Sequence, residues 1–421
     1  MIRRQALLSV AAIWIAGSAG AAQPVTGPIA SYWMSASTTS GMGGMFGGGA
    51  GGGGQRPSMS QMMSMGMGRG PDPNAAHYGL ILQLGSAHRP DGGAPQAEHD
   101  APVNLGVGPV LPLLSPQPMA KPTYEESQPG PPPQYQKPRG RMLIFWGCGE
   151  HAPPNQPVII DFSTLDQAGA AQRFAGLARG LAVTPMQPPS PSRNATYGEW
   201  PNRESREIAI PANGSLQGDH FVHGNYTPDI KFNLAASQDF LPPIQLTTNA
   251  RNPSGSATLA WNPVDGSKGY FSTMFGAKDR DDIVMWTSSA SQASAFSLPD
   301  YLSNGEISRL VAARALMPPS QTACVVPQEV VSAAGSSGFF QLAAYGGESN
   351  LSWPPRPPAP KTWNIAWEVK IRYRSSTSGI LGMDLSQMGG RHSYGNQPQN
   401  QGDQPKHKRP SLFNPLGGII P

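Results

Sequence analysis

A chain of 421 residues has room for two or three domains, yet 50 of its residues are Gly and 46 are Pro, so much of its length goes to turns, loops and tails. Charged side chains make up 13% and the formal net charge is +4. That balance gives no electrostatic basis for nucleic-acid binding, and no nucleic-acid partner is expected.

The first 22 residues read as an export signal. Arg3 and Arg4 form a basic n-region, Ala6 to Ala16 a short apolar h-region, and Ala19-Gly20-Ala21 the small-x-small pattern that a signal peptidase cuts. The expected mature chain starts near Ala22 or Gln23 and is periplasmic or associated with the cell surface. No later window offers the roughly 18 apolar residues that span a bilayer, so no transmembrane segment is expected after cleavage. Cys148 and Cys324 are the only cysteines. In an oxidising compartment they could pair as a disulfide or stay as two separately buried thiols, and their spacing leaves both open.

Residues 29 to 37 and 77 to 84 read as strands, the second with Leu80, Leu82 and Leu84 on one face. Between them a Gly/Met-rich stretch, about 40 to 76, has too few aliphatic anchors to offset its ordering entropy. A Pro-rich stretch, 115 to 140, leads into the apolar run Met142 to Trp146, a strand buried on both faces. Val158 to Phe162 reads as a strand, followed by a helix capped by Ser163 or Thr164 and running to Arg179. Short strands are predicted at 206 to 210, 220 to 223 and 229 to 234. The clearest pattern lies at 363 to 374, where Trp363, Ile365, Trp367, Val369, Ile371 and Tyr373 alternate with Asn364, Ala366, Glu368, Lys370, Arg372 and Arg374.

The expected fold class is mainly β: two β-sandwich-like domains with one or two short helices, long Gly/Met- and Pro-rich flexible loops and a disordered C-terminal tail. The predicted boundaries are a signal at 1 to 22, a β-rich domain at 29 to 236 with insertions at about 40 to 76 and 115 to 140, a second sandwich at 241 to 375 with a helical insertion near 302 to 316, and a tail at 376 to 421.

Within 241 to 375, LPPIQL, then TLAWNPVDGSKGYFSTMF, then FFQLAAYG resemble a fibronectin type III module. Trp261 and Tyr270 match its core positions, and Phe340, Leu342 and Ala344 match a late strand. Phe340 stands where the family usually carries a Tyr, and the segment from Ser288 to Val331 is longer than the family needs. The resemblance implies a binding or spacer role and no catalytic residues.

The sharpest chemical candidate is a methionine cluster, Met59, Met62, Met63, Met65 and Met67, preceded by Met42 and Met45. Thioethers are soft ligands that suit Cu(I), so copper is the alternative cofactor to none. Cys148 and His151 offer at most two metal ligands, short of the four of a structural zinc site. His220 and His223 point to opposite faces if their segment is a strand. Asp161, Asp219, Asp229, Asp279, Asp281 and Asp282 could supply a hydrolytic acid/base pair, while 278 to 282 reads more simply as a solvated loop. The stripe Lys370, Arg372, Arg374 is read as a solvated face or as edge protection, with docking of an acidic polymer as the sharper alternative. No nucleophile-elbow, zinc-helix, P-loop or dinucleotide motif appears. The leading expectation is an exported non-enzymatic binding or spacer protein of the cell envelope, with an envelope protein or polysaccharide as partner. The alternatives are periplasmic copper binding through the Met-rich segment and a carbohydrate-active hydrolase.

Overall fold

Alternating polarity fixes the centre of the molecule. In Trp367–Ile380 the side chains of Trp367, Val369, Ile371 and Tyr373 are buried in the core, and Glu368, Lys370, Arg372 and Arg374 occupy the opposite face. The structure is a computed structural model that describes residues 23–45, 75–116, 140–164, 169, 172, 183–202, 205, 208–277, 282–292, 298–335, 338–359 and 361–383.

A nine-stranded sheet runs in the spatial order β7 (Val158–Asp161), β6 (Arg141–Trp146), β14 (Asp282–Thr287), β13 (Gly269–Gly276), β16 (Phe339–Trp353), β18 (Trp367–Ile380), β2 (Ala30–Ser40), β3 (His77–Ser86), β8 (Thr196–Trp200). Its pairs are antiparallel except β14 with β6 and β18 with β2. A four-stranded sheet, β10 (Ile230–Leu234), β9 (Gly218–Gly224), β4 (Ala97–Asp100), β5 (Val110–Pro112), and a three-stranded sheet, β11 (Leu246–Arg251), β12 (Ala257–Trp261), β15 (Ala323–Val326), are the smaller layers. A parallel pair, β1 (Val25–Thr26) and β17 (Trp363–Asn364), completes the strands among the described residues.

Both smaller sheets share one hydrophobic core with the large one. Tyr32, Leu80, Leu82 and Leu84 of the large sheet meet Val222, Ile230 and Phe232 of the four-stranded sheet, while Tyr270, Met274 and Trp286 meet Leu259, Trp261 and Val326 of the three-stranded one. On the opposite face, helix α2 (Asn304–Ala312) buries Ile307 and Leu310 against Phe271, Ala343 and Tyr345. The Ser303 hydroxyl caps α2 by accepting from the Glu306 N–H at 3.2 Å. Two further helices are α1 (Gly41–Met45) and α3 (Gln328–Ala334).

The mainly β expectation holds, and the strands form two sandwich halves as expected, but the halves share one sheet. β18 of the predicted second domain pairs with β2 of the first, and β6 of the first pairs with β14 of the second. The boundary at 236 to 241 is therefore not a linker. Phe240, Leu241 and Ile244 are buried in the shared core. Thr38 and Ser40 donate their hydroxyls to the carbonyls of Leu241 (2.6 Å) and Ile244 (3.1 Å), satisfying buried acceptors in a segment that carries two prolines.

Other predicted elements shift for local reasons. The single strand predicted from 363 divides, because Trp363 and Asn364 pair with β1, and β18 continues to Ile380, into the predicted tail. The predicted strand at 206 to 210 is reduced, among the described residues, to an isolated bridge between Ile210 and Tyr78. The helical insertion contracts to α2. The Gly/Met-rich stretch beyond residue 45, the Pro-rich stretch 117–139, most of the predicted helix after Thr164 and the chain beyond 383 lie outside the described residues.

Cys148 and Cys324 form a disulfide with their Cα atoms 5.2 Å apart. Cys148 follows β6 in the large sheet and Cys324 sits in β15, so the bond ties one layer to the other. Backbone bonds continue the seam: the Gly149 N–H donates to the Val325 carbonyl at 2.8 Å and the Gln328 N–H to the Glu150 carbonyl at 2.9 Å. Closing 176 residues contributes about 5 kcal/mol in the chain-entropy picture. The expected outcome of Cys148→Ser with Cys324→Ser is a melting temperature lowered on the order of 5–10 °C, read by differential scanning calorimetry; an unchanged midpoint would show the bridge to be silent.

Candidate functional site

Three groupings of polar side chains stand out: a buried histidine chain, an outward cluster beside it, and the basic stripe of β18.

Strand β4 reads Ala-Glu-His-Asp, and period-two alternation divides it. His99 points into the core and is fully buried, while Glu98 and Asp100 point outward. β9 pairs with it in register, Glu98 opposite His223 and His99 opposite Val222. Gly224, opposite Ala97, permits this close pairing, since a Cβ there would strike the Gln96 carbonyl and Ala97.

Inside, the Tyr32 hydroxyl, His99 and His220 form a chain ending on a backbone carbonyl. His220 Nε2 lies 2.7 Å from the Leu216 oxygen, His220 Nδ1 lies 2.9 Å from His99 Nε2, and His99 Nδ1 lies 2.9 Å from the Tyr32 oxygen. A carbonyl only accepts, so the His220 Nε2–H donates to it. His220 Nδ1 then accepts from the His99 Nε2–H, and His99 Nδ1 accepts from the Tyr32 O–H. Every member is satisfied with both rings neutral. Burial holds His99 well below the ordinary imidazole range, with His220 adding to the shift. It lowers His220 as well, against opposing effects from the Leu216 carbonyl and Asp219. The Phe232 ring stacks on His220 at 4.8 Å. This chain rigidifies the core.

Outside, Glu98, Asp100 and His223 each offer a ligand atom within 4.8 Å of the others. His223 Nε2 is 3.5 Å from Asp100 Oδ1, and the His223 ring stacks on Phe221 at 4.6 Å. Phe221 is covered in turn by the Lys231 ammonium, 4.5 Å from its ring centre. Alternation separates His220 from His223 as the sequence predicted. Sequence reasoning missed Glu98 and Asp100, because β4 is too short and too charged to read as a strand on its own.

The basic stripe differs from its expectation on both counts. β18 is hydrogen-bonded on both sides, to β16 and to β2, so the stripe protects no edge. Nor is it a solvated face: the Arg374 side chain is 11% exposed and Lys370 19%. Arg372 lies between two rings, 5.3 Å from Trp33 and 4.4 Å from Tyr301, and donates from Nε to the Ser35 hydroxyl at 2.7 Å. Lys370 pairs with Glu348 and Arg374 with Asp300. Arg372 makes no carboxylate contact among the described residues, and burial pushes its guanidinium below the ordinary value. Asp300 and Tyr301 precede α2, so the stripe fastens that loop to the sheet.

The remaining candidates separate. Cys148 is spent in the disulfide and cannot serve with His151 as a metal ligand; His151 instead meets Glu329 at 3.0 Å. Asp282 pairs with Arg141, whose partner across β7 is Asp161; Asp219 accepts from Asn233, and Asp229 lies 3.9 Å from Lys231. A cavity of ≈ 760 Å³ brings Asp282 and Glu329 to one lining, but Asp282 is committed to Arg141, and Glu329 to His151 and the Ala152 N–H. Asp279, Asp281 and the methionine cluster Met59, Met62, Met63, Met65 and Met67 lie outside the described residues.

Two outcomes are expected. Unfolded histidine titrates near pH 6.5, whereas burial holds His99 well below that value in the fold and lowers His220 as well. Below about pH 6.5 these two positions therefore bind more protons in the unfolded chain than in the folded one. The stability contributed by the pair is complete above that pH and falls as pH drops, by up to about 1.4 kcal/mol per pH unit per histidine. Urea midpoints at pH 7.5 and 5.0 should show the fall, and His99→Gln with His220→Gln should flatten it. For the stripe, Arg372→Met keeps the packed stem and should stay within about 1 kcal/mol of the parent, whereas Arg372→Ala empties the space between two rings and should cost about 2 kcal/mol or more in chemical denaturation. Equal losses would assign the stabilisation to the charge.

No protein-family model matches the chain, and no curated protein matches it, so the functional reading rests on the residues described above.

Proposed function

We propose that the chain is an exported binding or spacer protein of the cell envelope, periplasmic or surface-associated. The observation that carries this reading is the Cys148–Cys324 disulfide joining the two layers. Such bonds persist in oxidising compartments and are rare where thiols are kept reduced. The basic, apolar and small-residue order of the first 22 residues agrees with it. No described helix is long and apolar enough to cross a membrane.

The spacer half of the reading draws on the sheet. Nine strands at about 4.8 Å make a span of roughly 40 Å, stiffened by two covering sheets and one covalent tie. The likeness to a fibronectin type III module draws support from the second sandwich half. There β11, β12 and β15 cover a sheet containing β13, β14, β16 and β18, and Trp261 meets Tyr270 edge-on across the layers at 5.3 Å. Phe340, Leu342 and Ala344 are all buried in the core that these sheets share. An envelope protein or polysaccharide is the partner class this reading implies.

The test is cell fractionation with intact-mass analysis and thiol counting on the native chain. The expected result is an envelope-fraction protein beginning near Ala22 or Gln23, with no free thiol before reduction and two after. A cytoplasmic chain with its first 22 residues retained and both thiols free would overturn the proposal.

A further inference from the structure

We propose that Glu98, Asp100 and His223 form a binding site for one divalent transition-metal ion on the outer face of the four-stranded sheet. This inference stands apart from the export reading, since it rests only on the local geometry of β4 and β9.

The backbone places the donors. Glu98 and Asp100 are two apart on β4 and share its outward face, and His223 of β9 is directly opposite Glu98. Donor atoms on a tetrahedral ion at about 2.1 Å lie about 3.4 Å from one another. The His223 Nε2 to Asp100 Oδ1 separation is already 3.5 Å, and all three donors lie within 4.8 Å of one another. The remaining adjustment falls to Glu98, which is exposed and free to change rotamer. Phe221 stacks on one face of the His223 imidazole, at 4.6 Å between ring centres.

The charge pattern points the same way. Two carboxylates with their oxygens this close repel each other unless a cation lies between them. Among the described residues no Lys or Arg forms an ion pair with either, and Glu98 makes no hydrogen bond through its side chain. Lys231, on the next strand, is turned to Phe221 and Asp229. Among the described residues the ion-pair contact to this pair of carboxylates is the His223 imidazole on Asp100.

The donor set selects the ion. One imidazole with two carboxylates suits Zn²⁺, Co²⁺ or Mn²⁺ better than Ca²⁺ or Mg²⁺, which take oxygen ligands. Three protein donors leave part of the coordination shell to solvent or to a partner's ligand, unlike a closed structural zinc site. Soft thioethers favour Cu(I), so Zn²⁺ is the probe that separates this site from the methionine cluster.

The experiment is isothermal titration of Zn²⁺ into the untagged, disulfide-intact chain. One ion per chain is expected. His223→Ala should weaken binding at least tenfold, as should the near-isosteric pair Glu98→Gln with Asp100→Asn. His151→Ala, which removes a surface histidine also paired with a carboxylate, should leave it unchanged. Circular dichroism of each variant separates loss of ligand from loss of fold, and the isosteric pair keeps the test open if the alanine variant misfolds. No saturable Zn²⁺ binding, or binding indifferent to both substitutions, would overturn the proposal.

Discussion

The parallel pairing of β18 with β2 is the constraint on which the architecture depends. Trp367 to Thr377 run alongside Ala30 to Ser40, while the other edge of β18 is paired to β16 along its length, so its backbone is satisfied on both sides. Residues 337 apart in sequence become neighbours, as Ser31 and Glu368 do at 2.8 Å. With that pairing in place, the four-stranded sheet and the three-stranded sheet cover two parts of one surface, and a single core runs under both. Without it the two halves would each be left with an open sheet edge.

The second parallel pairing, β6 with β14, repeats the device near the other end. Its bidentate Arg141–Asp282 contact is exposed and contributes little alone. The disulfide just beyond β6 does more, because it fixes the large sheet to the layer above it. Polar groups then finish what the strands begin. The histidine chain sets the register of the four-stranded sheet against Tyr32, and the stripe of β18 holds the loop before α2 against Trp33.

What could be read in advance divides along the line between local and long-range information. Residue pattern is local, so β18 and β3 were legible from their alternation and β2 from its β-prone residues, as was the separation of His220 from His223. Pairing is not local. Nothing in WEVKIRYR announces that its neighbour is ASYWMSAS, and a strand with one apolar and one basic face reads as half-solvated until a loop carrying Asp300 and Tyr301 is laid over it. The two domains inferred from sequence order were wrong about sharing for the same reason: a gap in strand pattern at 236 to 241 looks like a boundary, yet Thr38 reaches Leu241 and Ser40 reaches Ile244 from far upstream. The cluster on β4 and β9 was half visible, through His223, and its carboxylates became meaningful only once Glu98 faced that histidine across the ladder.

The distance in sequence between β2 and β18 also orders events in time. A chain made from its N-terminus exposes β2 with one side paired to β3 and the other bare until the residues of β18 have been synthesised, more than three hundred positions later. Closing so long a loop is entropically slow, and the waiting edge, which carries Tyr32, Trp33 and Met34, is a template for pairing with any other extended chain nearby. Synthesis of β18 is thus the step that ends the vulnerable period, and a chain truncated before residue 367 would keep that edge open for good.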